Sequence, residues 1–119
     1  MARVEYNRQY LVTIDTDTQG ELTRGYMVRM QVENGVRVRF AVSLQVRDLA
    51  SGRLKEVARY DDFRGFHRHL PPDPDVHEWL EGVSETDQVR FAIRDIALNA
   101  DKYSQHAQVA GYETPEDEE

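Results

Sequence analysis

The chain has 119 residues and no cysteine, enough for one domain that buries about two-thirds of its unfolded surface; disulfides, thiolate metal sites and cysteine nucleophiles are excluded. Its formal net charge is −7, but Glu113, Glu116, Asp117, Glu118 and Glu119 crowd the final "ETPEDEE", so the body is only mildly acidic. No apolar run approaches the ~20 residues of a membrane span, and "MARVEYNRQY" lacks the apolar stretch of a signal peptide, so a cytoplasmic protein without membrane contact is expected.

From Val4 to Ile14, apolar residues fall on even positions (Val4, Tyr6, Tyr10, Val12, Ile14), the alternation of a half-buried strand. After the polar turn "DTDTQGE", Tyr26, Val28, Met30 and Val32 share one face of a second strand. In "VRVRFAVSLQV" Val36, Val38, Phe40, Val42, Leu44 and Val46 share one face of a third. Asn34-Gly35 between them signals a hairpin. A two-residue loop would set Glu33 against Val36 and put polar residues opposite apolar ones. A loop of Glu33, Asn34 and Gly35 instead pairs Val32 with Val36 and Val28 with Phe40, and is the expected form. "RLKEVARY" reads as a fourth strand with Leu54, Ala58 and Tyr60 inward, and Arg59 and Asp61 outward.

Residues 61–82 then read as a long connection containing "LPPDPD", where proline forbids helix. Ser84 with Asp87 resembles a capping box. Val89, Ile93, Ile96, Ala97 and Ala100, broadened by Phe91 and Leu98, recur at the spacing of a roughly twenty-residue amphipathic helix. The expected architecture is α+β: a four-stranded antiparallel meander with one long C-terminal helix packed on one face. The domain should span residues 1–111, followed by a disordered acidic tail over 112–119.

The outer sheet face is expected to carry Arg29, Arg37, Arg39, Arg47 and Arg59. An antiparallel sheet commonly wets one side, and no exposed aromatics are evident there for bases to stack on. Basic residues are almost all arginine, whose planar fork suits carboxylate or phosphate. Trp79, the one tryptophan, is expected to close the core edge.

Chemistry concentrates in "RYDDFRGFHRH", residues 59–69. His67 and His69 are two apart, so in an extended segment both rings point the same way and are able to share a metal. Asp61, Asp73, Asp75, His77 or Glu78 would supply a third ligand, His67, His69 and His77 being the imidazole set. No His-Glu-x-x-His spacing or thiolate supports such a site, so the expectation is a site without metal or other cofactor. Arg59, Asp61, His67 and His69 are then the catalytic candidates, with histidine moving a proton and arginine stabilising phosphoryl charge. Tyr60 or Arg64 would assist. A structural Arg59–Asp61 ion pair accounts for some of the same residues.

The string Arg59-Tyr60-Asp61, Arg64-Gly65, His67-Arg68-His69 resembles a motif of small uncharacterised prokaryotic proteins of the "RYD…HG…H" kind. There, too, a sheet-forming half precedes the motif and a helix like "VRFAIRDIALNADKY" follows it, over most of residues 26 to 104. The same string resembles the "YDN…RG…HRH" of toxins from TumE-like toxin–antitoxin modules. That resemblance implies a toxin or defence protein acting on RNA. The alternative is a non-catalytic interaction module, or a small subunit of a larger complex, with a protein partner.

Overall fold

The structure, a computed structural model, describes residues 6–109. It is α+β, with a single antiparallel sheet whose six strands lie side by side in chain order: β1 (Arg8–Thr16), β2 (Leu22–Glu33), β3 (Val36–Arg47), β4 (Leu54–Asp61), β5 (His67–His69) and β6 (Glu78–Trp79). Two helices, α1 (Gln88–Leu98) and α2 (Ala100–His106), pack on one face. The four expected strands form, and β5 and β6 add two short ones from the segment expected to be a loop. The expected strand start at Val4 and the tail over 112–119 lie outside the described residues.

The β2–β3 hairpin corrects the expected register. Glu33 stands opposite Val36, joined by Asn34 at φ 52° and Gly35 at φ 77°, the left-handed pair that a two-residue hairpin turn needs. Val32 then faces Arg37, not Val36, and Gln31 faces Arg39, which leaves Val38 as an extra residue on β3. One inserted residue reverses side-chain parity. The bulge, rather than a longer loop, therefore unites Val28 and Met30 with Val42 and Phe40. Val36 lies beyond the bulge and Val38 forms it; both are exposed rather than part of the core. A second bulge on β4 sets Leu44 against Ala58 and Gln45 against Glu56. It leaves Val57 buried, while Leu54, expected inward, is exposed.

The core joins Val28, Phe40, Val42, Leu44, Ala58, Tyr60 and Phe66 of the sheet side to Ala92, Ile96, Ala100 and Tyr103 of the helices. The expected long helix is divided at Asn99, whose backbone leaves helical geometry (φ −115°, ψ 18°). Its side-chain amide donates to the Asp95 carbonyl at 3.0 Å and to the Asp95 carboxylate at 2.8 Å, the local bonding by which asparagine competes with a helix. The apolar face is narrower than the spacing implied: Ala97, Phe91 and Leu98 are exposed, Leu98 by 77%. Nor does the capping box form, because the Ser84 hydroxyl donates to the Asp87 carboxylate at 2.9 Å instead of capping the backbone. Among the described residues no helix is long and apolar enough to cross a membrane.

Candidate functional site

The site is built by the reversal between β4 and β5. After Asp61 the chain turns through Arg64 (φ 65°) and Gly65 (φ 127°), and Gly65 N–H donates to the Asp62 carbonyl at 3.1 Å. Strand β5 then returns along β4 with Asp61 opposite His67, Tyr60 opposite Arg68 and Arg59 opposite His69. Directly opposed residues in an antiparallel pair project to the same face. Arg59, Asp61, His67 and His69 therefore stand together on the face away from the helices, and Tyr60 and Arg68 on the helix side.

Asp61 is 5% exposed and His67 3%. The Asp61 carboxylate accepts from Arg59 Nε at 3.0 Å and from Phe63 N–H at 3.0 Å, and its Oδ1 lies 3.2 Å from His67 Nε2. The opposite ring nitrogen, His67 Nδ1, lies 2.9 Å from the Gly65 carbonyl; His69 Nδ1 lies 2.8 Å from the Pro74 carbonyl. A carbonyl only accepts, so both Nδ1 atoms carry hydrogen. His67, expected as an exposed loop residue, is instead buried on β5, with Nδ1 on the Gly65 carbonyl and Nε2 beside Asp61.

His77, on the connection before β6, completes a cluster in which one ring nitrogen from each of His67, His69 and His77 lies within 4.8 Å of the others. Of the third members considered from the sequence, only His77 joins this group. Glu78 is turned to the helix side, where it receives Arg68 Nε and Nη2 at 3.0 and 2.9 Å. Trp79 is 54% exposed and does not close the core. Its ring stacks on His77 at 5.8 Å and 15° and lies 4.9 Å from His67.

These groups line an open cleft of about 710 Å³ whose other walls are Tyr6, Phe63 and Arg64. The sheet coils enough to bring Tyr6, ahead of β1, beside Arg59 of β4. Burial pushes the Tyr6 hydroxyl above its ordinary pKa, against the opposing pull of the Arg59 guanidinium. Arg64 and Arg39 both lie over the Phe63 ring, each at 5.2 Å. The arginine face expected from the sequence is dispersed. Arg37, whose parity the Val38 bulge changes, donates to the Glu85 carbonyl at 2.7 Å ahead of α1, and Arg47 approaches Asp17 and Glu21.

A polar network on the opposite face holds β5 in place. Tyr60 and Tyr103 each donate a hydroxyl hydrogen to Asp95 Oδ2 at 2.7 Å, and Arg68 Nη1 donates to the Tyr60 oxygen at 2.8 Å. Burial, reinforced by the Asp95 carboxylate, pushes both tyrosine hydroxyls far above their ordinary range. Tyr60 thus has no access to the cleft and is not the assisting group suggested by its place in the motif. Arg68, the residue between the two histidines, locks β5 to β4, β6 and α1.

A family model described as "Domain of unknown function (DUF7718)" matches residues 4–109. The chain belongs to that family. No curated protein and no solved structure matches it. The DUF7718 match takes in the whole sheet, both helices and every residue lining the cleft.

Proposed function

We propose that the cleft binds single-stranded RNA and cleaves its phosphodiester bonds, in the setting of a toxin or defence protein. The observation that carries this reading is the composition of the cleft: three imidazoles and a buried carboxylate beside two arginines, walled by Trp79, Phe63 and Tyr6. Single-stranded nucleic acid is held by aromatic platforms under its bases and by cations along its backbone. Here Trp79 and Phe63 provide the platforms. Arg64, which has no carboxylate partner among the described residues, and Arg59 receive phosphate. RNA carries its own nucleophile, the 2′-hydroxyl. An imidazole of the cluster takes the proton as that oxygen attacks phosphorus, and the bond to the 5′-oxygen breaks to leave a 2′,3′-cyclic phosphate. A protonated imidazole returns the proton to the departing 5′-oxygen, and the arginines offset the charge growing on the phosphoryl oxygens.

The test is incubation of purified protein with a labelled single-stranded oligoribonucleotide, with and without added divalent metal ions. Wild type is expected to cut it, and the His69→Ala and His77→Ala variants to lose the activity by at least about a hundredfold, the lower end of a general acid–base contribution. The 2′-deoxy oligonucleotide should remain whole. Intact RNA under all conditions, together with unaffected growth of cells expressing the protein, would refute this function and leave the interaction module.

A further inference from the structure

We propose that His67, His69 and His77 form a binding site for one divalent transition-metal ion of the zinc type. Two independent features of the cluster carry this. The first is tautomeric. Because His67 and His69 each donate Nδ1–H to a backbone carbonyl, of Gly65 at 2.9 Å and Pro74 at 2.8 Å, a neutral ring keeps its lone pair on Nε2, the atom left to ligate a metal. Metal-ligating histidines are fixed in this way, with the remote N–H held by a carbonyl or carboxylate.

The second feature is electrostatic. The Asp61 carboxylate, buried like His67, lies 3.2 Å from His67 Nε2, so a negative group stands directly beside the three gathered imidazoles and favours a bound cation there. Ligand atoms about 2.05 Å from a tetrahedral zinc ion lie about 3.3 Å from one another. One nitrogen from each histidine lies within 4.8 Å of the others, so no pair among them need close by more than about 1.5 Å. His77 is exposed, on the connection leading into β6. Imidazole nitrogen is a ligand for zinc, copper, nickel and iron rather than for magnesium or calcium.

With three protein ligands, a tetrahedral ion would keep one position for water, as in catalytic rather than structural zinc sites. Such a water would lose its proton near neutral pH and, in the metal-loaded protein, would replace the imidazoles as the group that takes the 2′-hydroxyl proton. That place in catalysis rests on the RNA reading; the binding of the ion does not.

The experiment uses the full chain without a polyhistidine tag, stripped with chelator and titrated with zinc chloride by calorimetry, then with cobalt(II) by visible absorption. One zinc ion per chain with submicromolar affinity is expected, along with the intense visible bands of tetrahedral cobalt. Affinity should fall at least tenfold to a hundredfold in His69→Ala and in His77→Ala, since loss of an outer-shell partner alone costs that much. His77 is exposed, so its variant keeps the fold, as circular dichroism would verify. His106→Ala, in the last turn of α2, should bind as wild type does. No saturable binding, or affinity unchanged in His77→Ala and His69→Ala, would overturn the site and leave a proton shared between His67 and Asp61. A protein that binds the ion yet leaves RNA intact would sustain this site and refute the proposed function alone.

Discussion

Replacing Asp95 by alanine tests the network that fixes β5. The carboxylate accepts both the Tyr60 and the Tyr103 hydroxyl hydrogens at 2.7 Å, and Tyr60 has no exposed surface. In Asp95→Ala the two hydroxyl donors and the Asn99 amide lose their carboxylate acceptor, while the amide keeps its bond to the residue-95 carbonyl at 3.0 Å. A buried donor left unsatisfied costs about 1–3 kcal/mol. Arg68 loses only a 3.5 Å contact and keeps its paired bonds to Glu78, so its share is small. The sum is about 3–4 kcal/mol, which for a domain of this length lowers the melting temperature by roughly 12–16 °C. Urea denaturation followed by circular dichroism gives the free energy. The diagnostic is the cycle with Tyr60→Phe: removing the hydroxyl as well should recover about 1 kcal/mol or more of the loss. A single-variant cost below about 1 kcal/mol, or losses that simply add, would refute the network as the clamp on β5.

Three further outcomes follow from particular backbone and charge features. Gly35→Ala should cost about 1 kcal/mol in the same urea experiment, because its φ of 77° is left-handed and open space around it makes strain the sole penalty; a neutral substitution would contradict the turn geometry. Gly65→Ala combines φ 127° with a methyl group 3.2 Å from the Trp79 ring, so it should both destabilise and shift the emission of the only tryptophan; an unchanged spectrum would place Trp79 elsewhere. Asp48 is held below the ordinary carboxylate value by a hydrogen bond from Lys55, aided by the Ala50 and Ser51 N–H groups. A depressed folded pKa contributes stability that is complete above the unfolded value near 3.8 and is lost as pH falls through the folded one. Asp48→Asn should therefore flatten the acid end of the stability–pH curve, and a curve parallel to wild type would refute this.

The long strands were legible because their apolar residues alternate in Tyr26–Val32 and Phe40–Val46, with one wall packed toward the helices, even though Ala41, Ser43 and Gln45 on the other wall of β3 are buried too. The hairpin register was not. Parity arguments require an odd residue somewhere, and the sequence does not say whether loop or strand absorbs it; Val38 does so as a bulge. Strands β5 and β6 hold three and two residues, too few for any periodicity, and they exist because β4 offers an edge for His67–His69 to pair with. Strand parity set Arg59 and Asp61 on one face and the spacing of two set His67 and His69 on one side, but the β4–β5 pairing that joins the two pairs had no local signature. His77, Trp79, Phe63 and Tyr6 reach the same cleft through the β5–β6 return and the coil of the sheet, and neither has a local signature. The spacing from His69 to His77 hints at a third imidazole, but only the turn through Pro74 brings it back.

The most direct measurement of the central claim, that this cleft receives RNA, is the fluorescence of Trp79 during titration with a single-stranded oligoribonucleotide. As the only tryptophan, standing 54% exposed on the cleft wall, it reports on the site without background. A base stacked on its ring, worth about 1–3 kcal/mol of binding, should quench its emission in a saturable way, with a midpoint matching the binding curve from anisotropy of labelled RNA. Arg64→Ala should move both midpoints to higher RNA concentration together. RNA that binds by anisotropy while Trp79 emission stays constant, or RNA that does not bind at all, would contradict the account.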